Sequence, residues 1–100
     1  RPVDVPINSI AADSLGARRV GDLVFDIARQ AVAASLLVPD EAIRAAQRAL
    51  WRDFCIIAEP GGAAAYAALI SSAYRPAPSE RIGVLLCGGN ADLQKLAPDL

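Results

Sequence analysis

Residues 81–90 have the sequence RIGVLLCGGN, a short apolar run that stops at Cys87 and turns through Gly88 and Gly89. Continuous apolar residues bounded by glycines are typical of a strand that is buried on both faces, as in a parallel sheet. Ligands of open α/β sheets bind at the carboxyl ends of such strands. Cys87 would then lie at a ligand-binding edge, followed by two residues without side chains to obstruct a ligand. A cysteine that is simply packed before a glycine turn is the alternative explanation.

The composition limits the kinds of protein that the chain can be. Its 100 residues allow one domain or a part of one, and 54% of them are hydrophobic. The net charge of −1 argues against a nucleic acid or an anionic membrane as partner. No apolar run is long enough to span a bilayer. The chain starts at Arg1 and contains no Met, which predicts that it is a fragment of something longer.

The two cysteines, Cys55 and Cys87, have no CxxC spacing, and the chain contains no His. We therefore expect no zinc site, and we predict no metal ligands. Two free thiols flanked by apolar residues fit a reducing, cytoplasmic environment. The sequence leaves a disulfide between them open.

Helical patterns occur in residues 21–32, 40–54 and 63–72, and residues 91–96 allow one helical turn. The second pattern follows Pro39, which suits a helix start, and its apolar positions recur at helical spacing. Arg44, Arg48 and Arg52 share another face of that helix, and a solvated face explains them better than an anion site.

Short apolar segments at residues 35–38, 55–58 and 81–86 alternate with these helices and are predicted to be strands. The alternation predicts an α/β fold with helices packed on a parallel sheet. Glu59 stands between an apolar run and a glycine turn, where it could meet a ligand or cap the following helix. Residues 9–16 are interpreted either as a loop near a site or as an ordinary surface loop.

Four motifs together resemble a known family: AADSLGARRVGDL (11–23), VPDEAIRAAQRALW (38–51), AEPGGAAAYAAL (58–69) and GVLLCGGNADL (83–93). They look like the carboxyl-terminal part of a pyridoxal-phosphate-dependent threonine/serine dehydratase, from the fold-type-II, tryptophan-synthase-β-like group. The resemblance runs from about residue 4 to residue 96. The combination of EPxGAAA with a later [CS]GGN is specific, whereas each motif alone is not.

The resemblance implies that residues 1–100 are the carboxyl-terminal part of a catalytic domain whose amino-terminal half is absent. It places Cys87 where the family has a Ser or Cys that contacts the pyridine nitrogen of pyridoxal 5'-phosphate. Such a neutral group does not force that nitrogen to stay protonated, as a carboxylate would. Gly88 would leave room beside the ring, and Glu59 matches a family Glu near it.

The loop of Asp13, Ser14, Leu15 and Gly16 corresponds to the family's substrate-lining loop. Ser14 replaces the usual Gly, so the substrate preference among threonine, serine and their relatives stays open. The family's Schiff-base lysine, phosphate cradle and metal-ligand acidic residues all precede this stretch. Lys95, the only lysine here, is interpreted as a solvated surface residue. The fragment alone is therefore expected to be inactive.

The function implied for the whole protein is the deamination of a small β-hydroxy amino acid to a 2-oxo acid and ammonia. A serine racemase or a threonine synthase would share much of this half. An interaction domain that kept the scaffold without catalysis is the alternative from another class. The resemblance also implies a homodimer or a larger homo-oligomer.

Overall fold

The computed structural model describes residues 1–96, and five helices lie in this range. They are α1 (Ala12–Leu15), α2 (Asp22–Ala31), α3 (Asp40–Phe54), α4 (Pro60–Ile70) and α5 (Leu93–Leu96). The largest contact between helices joins α3 and α4, and α1 packs against α4 as well. The described chain is therefore organised around the α3–α4 pair.

The helix α3 has the bounds that its pattern predicts, which confirms residues 40–54 as a helix. It ends at Cys55, whose backbone is left-handed with a φ of 56°. The N–H groups of Cys55 and Ile56 donate to the carbonyl oxygens of Trp51 and Leu50, at 2.9 and 3.0 Å. This double hydrogen bond stops a helix by occupying its last carbonyl groups.

The core lies between α3 and α4 and consists mostly of small side chains. Three alanines, Ala46, Ala63 and Ala67, have 0% exposure, so the two helix backbones approach closely. The larger apolar residues of the core are Ile43 and Leu50 on α3. Helices were also predicted at residues 21–32 and 63–72, and α2 and α4 confirm both with shifted ends.

The predicted α/β fold with helices packed on a parallel sheet is wrong, because residues 1–96 contain no β-strand. Residues 35–38, 55–58 and 81–86 all have irregular structure. An apolar run indicates burial, but a strand also needs a neighbour that exchanges a ladder of backbone hydrogen bonds. Within the described residues, one backbone hydrogen bond links the positions just after the last two segments, from the N–H of Glu59 to the carbonyl oxygen of Gly88. Leu85 is 78% exposed, which also contradicts a run buried on both faces.

The apolar face of α2 is largely exposed in the described chain. None of its ten residues is buried, and Leu23, Val24 and Ile27 are all exposed. The helical period of α2 was therefore predicted correctly, but the burial that such a period normally indicates is absent here. Among the described residues, no helix has the length and apolar character needed to cross a membrane.

Candidate functional site

Glu59 lies immediately before α4, at its N-cap position. Its carbonyl oxygen accepts a hydrogen bond from the N–H of Ala63 at 3.0 Å, while its own N–H donates to the carbonyl oxygen of Gly88 at 2.7 Å. Its side chain makes no capping hydrogen bond, so the carboxylate does not cap the amino-terminal end of the helix. The backbone of Glu59 therefore starts α4 and its carboxylate is left for another partner.

Gly88 has a backbone conformation that favours glycine, and it lies against that carboxylate. Its φ is +71°, in the left-handed region that glycine adopts more readily than other residues. A Cβ at this position would overlap the carboxylate of Glu59. Gly88 and Glu59 are thus in contact through both backbone and side chain.

Cys87 is held against the first turn of α4 by its backbone. A Cβ on Gly62 would overlap the carbonyl oxygen of Cys87, so the glycine allows the two backbones to touch. The Cys87 thiol is free, and the residue is exposed within the described chain. Cys55 is also free and exposed, so the structure contains no disulfide between the two cysteines.

The predicted substrate-lining loop forms the short helix α1, which a loop prediction for residues 9–16 missed. Ser14 and Leu15 lie against Gly61, where a Cβ would overlap the Ser14 hydroxyl. Gly16 follows α1 and packs closely on the carbonyl oxygen of Ala12. The predicted loop is therefore in direct contact with the start of α4.

Asp40 holds the chain that leads into α1. Its Oδ1 accepts a hydrogen bond from the Ser9 hydroxyl at 2.7 Å, and its Oδ2 accepts one from the N–H of Ile10 at 3.0 Å. The Ser9 oxygen in turn accepts a hydrogen bond from the N–H of Ala11 at 3.1 Å. The first residue of α3 thus orients a loop that lies about 30 residues earlier in the sequence.

A cavity of about 450 Å³ lies between α1, α3 and the start of α4. It brings together two predicted loop residues, Asp13 and Ser14, with Glu59. Leu15, Gly16, Cys87 and Gly88 do not line it. The other lining residues are Ile10, Arg44, Gln47, Arg48, Pro60, Asn90, Ala91 and Asp92.

The arginine row of α3 is divided between cavity and solvent. Arg44 and Arg48 line the cavity, and Arg48 also lies 3.7 Å from the carboxylate of Glu41. Arg52 instead binds its neighbour Asp53 at 2.6 Å. This hydrogen bond raises the pKa of the Arg52 guanidinium and lowers the pKa of the Asp53 carboxylate. The interpretation of a solvated face fits Arg52 and missed the cavity positions of the other two.

Gln47 was also missed, although the sequence contains a signal for it. It is the polar residue on the apolar stripe of α3, between Ile43 and Leu50, and it is only 6% exposed. Its Nε2 donates a 2.8 Å hydrogen bond to the carbonyl oxygen of Ala58, which supplies the partner that a buried amide needs.

The residues at the start of α4 fit the edge of a flat aromatic ligand. The Cys87 thiol is exposed, the Cys87 backbone lies against Gly62, and the Glu59 carboxylate lies against Gly88, so a thiol, a carboxylate and two glycines are available to the edge and nitrogen of such a ring. The side chain of Lys95 lies outside the described part of the structure. Among the described residues, no three His, Cys, Asp or Glu side chains converge on a position that could hold a metal ion.

Comparison with known proteins identifies the family. A family model described as pyridoxal-phosphate dependent enzyme matches residues 1–88, which include Glu59, Cys87 and Gly88. The chain belongs to this family. Pyridoxal phosphate is accordingly the cofactor of the family to which the chain belongs.

Curated relatives of this family include dehydratases and racemases. The chain is 34% identical over 99 residues to phenylserine dehydratase of Ralstonia pickettii, covering 99% of the chain and 30% of the relative. It is 33% identical over 98 residues to a serine racemase of Arabidopsis thaliana, covering 94% and 29%. It is 31% identical over 96 residues to the biosynthetic L-threonine dehydratase of Escherichia coli (strain K12), covering 95% and 19%. The chain thus spans less than a third of the length of these relatives.

Proposed function

We propose that this chain is part of a pyridoxal-phosphate-dependent dehydratase that converts a small β-hydroxy amino acid to a 2-oxo acid and ammonia. The observation that carries the proposal is the convergence of Glu59, Gly88 and Cys87 at the start of α4, in a chain of this family. The dehydratases among its relatives support the reaction class.

The proposal gives each residue a role that its chemistry allows. The Cys87 thiol contacts the pyridine nitrogen of the cofactor, and as a neutral group it leaves that nitrogen free to lose its proton. Gly88 leaves space beside the ring, and the Glu59 carboxylate contacts the ring edge. When bound, the cofactor supplies the electron withdrawal that makes the α-proton of an amino acid removable.

The substrate is proposed to bind on the side of α1. Asp13, Ser14, Leu15 and Gly16 form this side, and the first two reach the cavity that Glu59 also lines. Threonine, serine and phenylserine are the candidate substrates, since the related dehydratases are named for two of these hydroxy amino acids and the racemases for serine.

The covalent attachment of the cofactor and the binding of its phosphate are assigned to residues outside this chain. The full-length protein is therefore the proposed enzyme, and the fragment is proposed to be inactive. We also propose a cytoplasmic location, supported by two exposed free thiols, and a homo-oligomeric state.

Serine racemisation is the second candidate, because several relatives are serine racemases. The two reactions can be separated with purified full-length protein, loaded with pyridoxal phosphate and supplied with L-threonine, L-serine or phenylserine. The dehydratase proposal predicts release of a 2-oxo acid and ammonia in equal amounts. Conversion of L-serine to D-serine without ammonia would favour the racemase. A protein that binds no cofactor would contradict both and favour a non-catalytic interaction domain.

A further inference from the structure

Gln47 has a polar side chain in the apolar contact between α3 and α4. Its Nε2 donates to the carbonyl oxygen of Ala58 at 2.8 Å. A carbonyl group only accepts hydrogen bonds, so the amide nitrogen of Gln47 must face it and the amide oxygen must face away. No buried side-chain nitrogen or oxygen among the described residues lacks a partner, and Gln47 lines the cavity. Gln47 is therefore a buried residue whose amide nitrogen is satisfied by the Ala58 carbonyl, in the wall of the cavity that Glu59 also lines.

The peptide group between Ala58 and Glu59 is hydrogen-bonded through both of its polar atoms. Its carbonyl oxygen accepts from Gln47 at 2.8 Å, and its N–H donates to the carbonyl oxygen of Gly88 at 2.7 Å. Two bonds on opposite sides of a planar group restrict the rotation of that plane. The plane in turn sets the direction in which the Glu59 side chain leaves the backbone.

We propose that Gln47 is a positioning residue, which orients the Glu59 carboxylate toward the cofactor ring by holding this peptide group. The inference rests on the proposed function, because it takes Glu59 as a contact of the cofactor. Gln47 itself touches the backbone of Ala58 and acts only through it. Side chains that orient a functional group in this way affect activity through small displacements.

Two substitutions separate orientation from simple packing. Gln47→Met keeps the length and the unbranched shape of the side chain but removes the donor, so the Ala58 carbonyl loses its partner at every pH. Gln47→Glu keeps the shape, and its protonated form has an O–H that can donate to the same carbonyl. Its ionised form has only acceptors and would repel that oxygen.

The experiment uses full-length protein loaded with pyridoxal phosphate and compares wild type, both variants and the control Gln30→Met. Gln30 is exposed on α2, so the control makes the same chemical change outside the site. We expect kcat of Gln47→Met to fall by roughly tenfold or more, with KM for the amino acid changed far less. The absorption spectrum of the bound cofactor should shift at the same time, while Gln30→Met matches wild type in both.

The decisive measurement is the pH dependence of kcat for Gln47→Glu. Its kcat relative to wild type should rise as the pH falls through the pKa of the carboxyl group that this substitution introduces, since protonation restores the donor. A ratio that stays flat with pH would overturn the inference even if Gln47→Met fails to fold. Wild-type kcat and spectrum in Gln47→Met would overturn it as well, while leaving the proposed function intact. A wild-type protein that binds no pyridoxal phosphate would overturn the proposed function and this inference together.

Discussion

The carboxylate of Glu59 occupies the space that a side chain on Gly88 would fill, and the N–H of Glu59 donates to the Gly88 carbonyl oxygen at 2.7 Å. The two residues lie 29 positions apart in the sequence and belong to the two motifs whose combination is specific for the family. Their contact therefore gives a structural reason for the occurrence of both motifs in one chain.

Gly88→Ala is expected to displace the Glu59 carboxylate and to weaken cofactor binding. An alanine at a φ of +71° costs about 1–2 kcal/mol, and its Cβ would overlap the carboxylate. Gly83→Ala is the matched control, because a Cβ there meets nothing within 4 Å. The check is the affinity of the full-length protein for pyridoxal phosphate and its melting temperature. Equal values for the two variants would show that the Glu59–Gly88 contact is unimportant.

Gly62→Ala tests whether α4 holds the backbone of Cys87. Intrinsic helix propensity alone predicts that this substitution stabilises the protein by about 1 kcal/mol. The contact predicts the opposite sign, because the new Cβ would overlap the carbonyl oxygen of Cys87, and neither backbone can move easily. We expect a lower melting temperature for Gly62→Ala, and none of that loss for Gly21→Ala, where the Cβ has open space. An increase for Gly62→Ala would contradict the contact.

Asp40→Asn is expected to loosen the loop that carries Asp13 and Ser14. Asn has one acceptor oxygen in place of two and no charge, so the Ser9 hydroxyl and the Ile10 N–H can no longer each donate to a carboxylate oxygen, at a cost of about 1–2 kcal/mol. KM for the amino acid should rise while the cofactor spectrum stays unchanged. Glu41→Gln serves as the control, since the Glu41 side chain is exposed and its carboxylate lies 3.7 Å from Arg48, a weak surface pair. A changed cofactor spectrum with an unchanged KM would contradict the assignment of this loop to the substrate and would indicate that it affects the cofactor.

The isolated chain of residues 1–100 is expected to self-associate through its exposed apolar surface. Leu23 is 76% exposed on α2, and Ile27 lies on the same face. The double variant Leu23→Lys/Ile27→Lys should shift the chain toward monomer in sedimentation velocity. Ser79→Lys/Gln94→Lys adds the same charge at exposed polar positions and should not. Monomeric behaviour of the unaltered chain at high concentration would argue against this expectation.

The helices could be predicted from the sequence, whereas the parallel sheet that the sequence also predicted is absent from residues 1–96. The bounds of α3 follow from a local period and from Pro39, and both are visible within about fifteen residues. Residues 81–86 carry the apolar run of a strand, but pairing depends on a neighbouring segment that the run itself does not specify. The same limit applies to α2, whose helical period was visible in the sequence, while the exposure of its apolar face in the described chain was not.

The candidate site, like the fold, could be predicted from the sequence only in part. Glu59, Cys87 and Gly88 stand in linear motifs, so they could be named as candidates, but the contact between Glu59 and Gly88 needed the structure. The bond from Ser9 to Asp40 spans 31 residues and has no local signal. Gln47 did have one, because a polar residue within an apolar helical stripe indicates a buried hydrogen-bond partner.

The central claim is that the Cys87 thiol meets the pyridine nitrogen of the cofactor. Cys87→Ser keeps a neutral group of the same kind and should be tolerated. Cys87→Ala removes the contact and should lower the activity. Cys87→Asp places a carboxylate against the ring nitrogen and would hold it protonated, which strengthens electron withdrawal and changes the cofactor's absorption. Cys55 is also a free, exposed thiol, so the same three substitutions there are the matched control.

The most direct test is the absorption spectrum of the cofactor bound to full-length protein, recorded for the three Cys87 variants together with activity and melting temperature. The account predicts a wild-type spectrum for Cys87→Ser, a lower activity for Cys87→Ala and a shifted spectrum for Cys87→Asp, with no spectral change in the Cys55 series. Wild-type activity and spectrum in Cys87→Ala, together with a Cys87→Asp variant that merely unfolds, would contradict it.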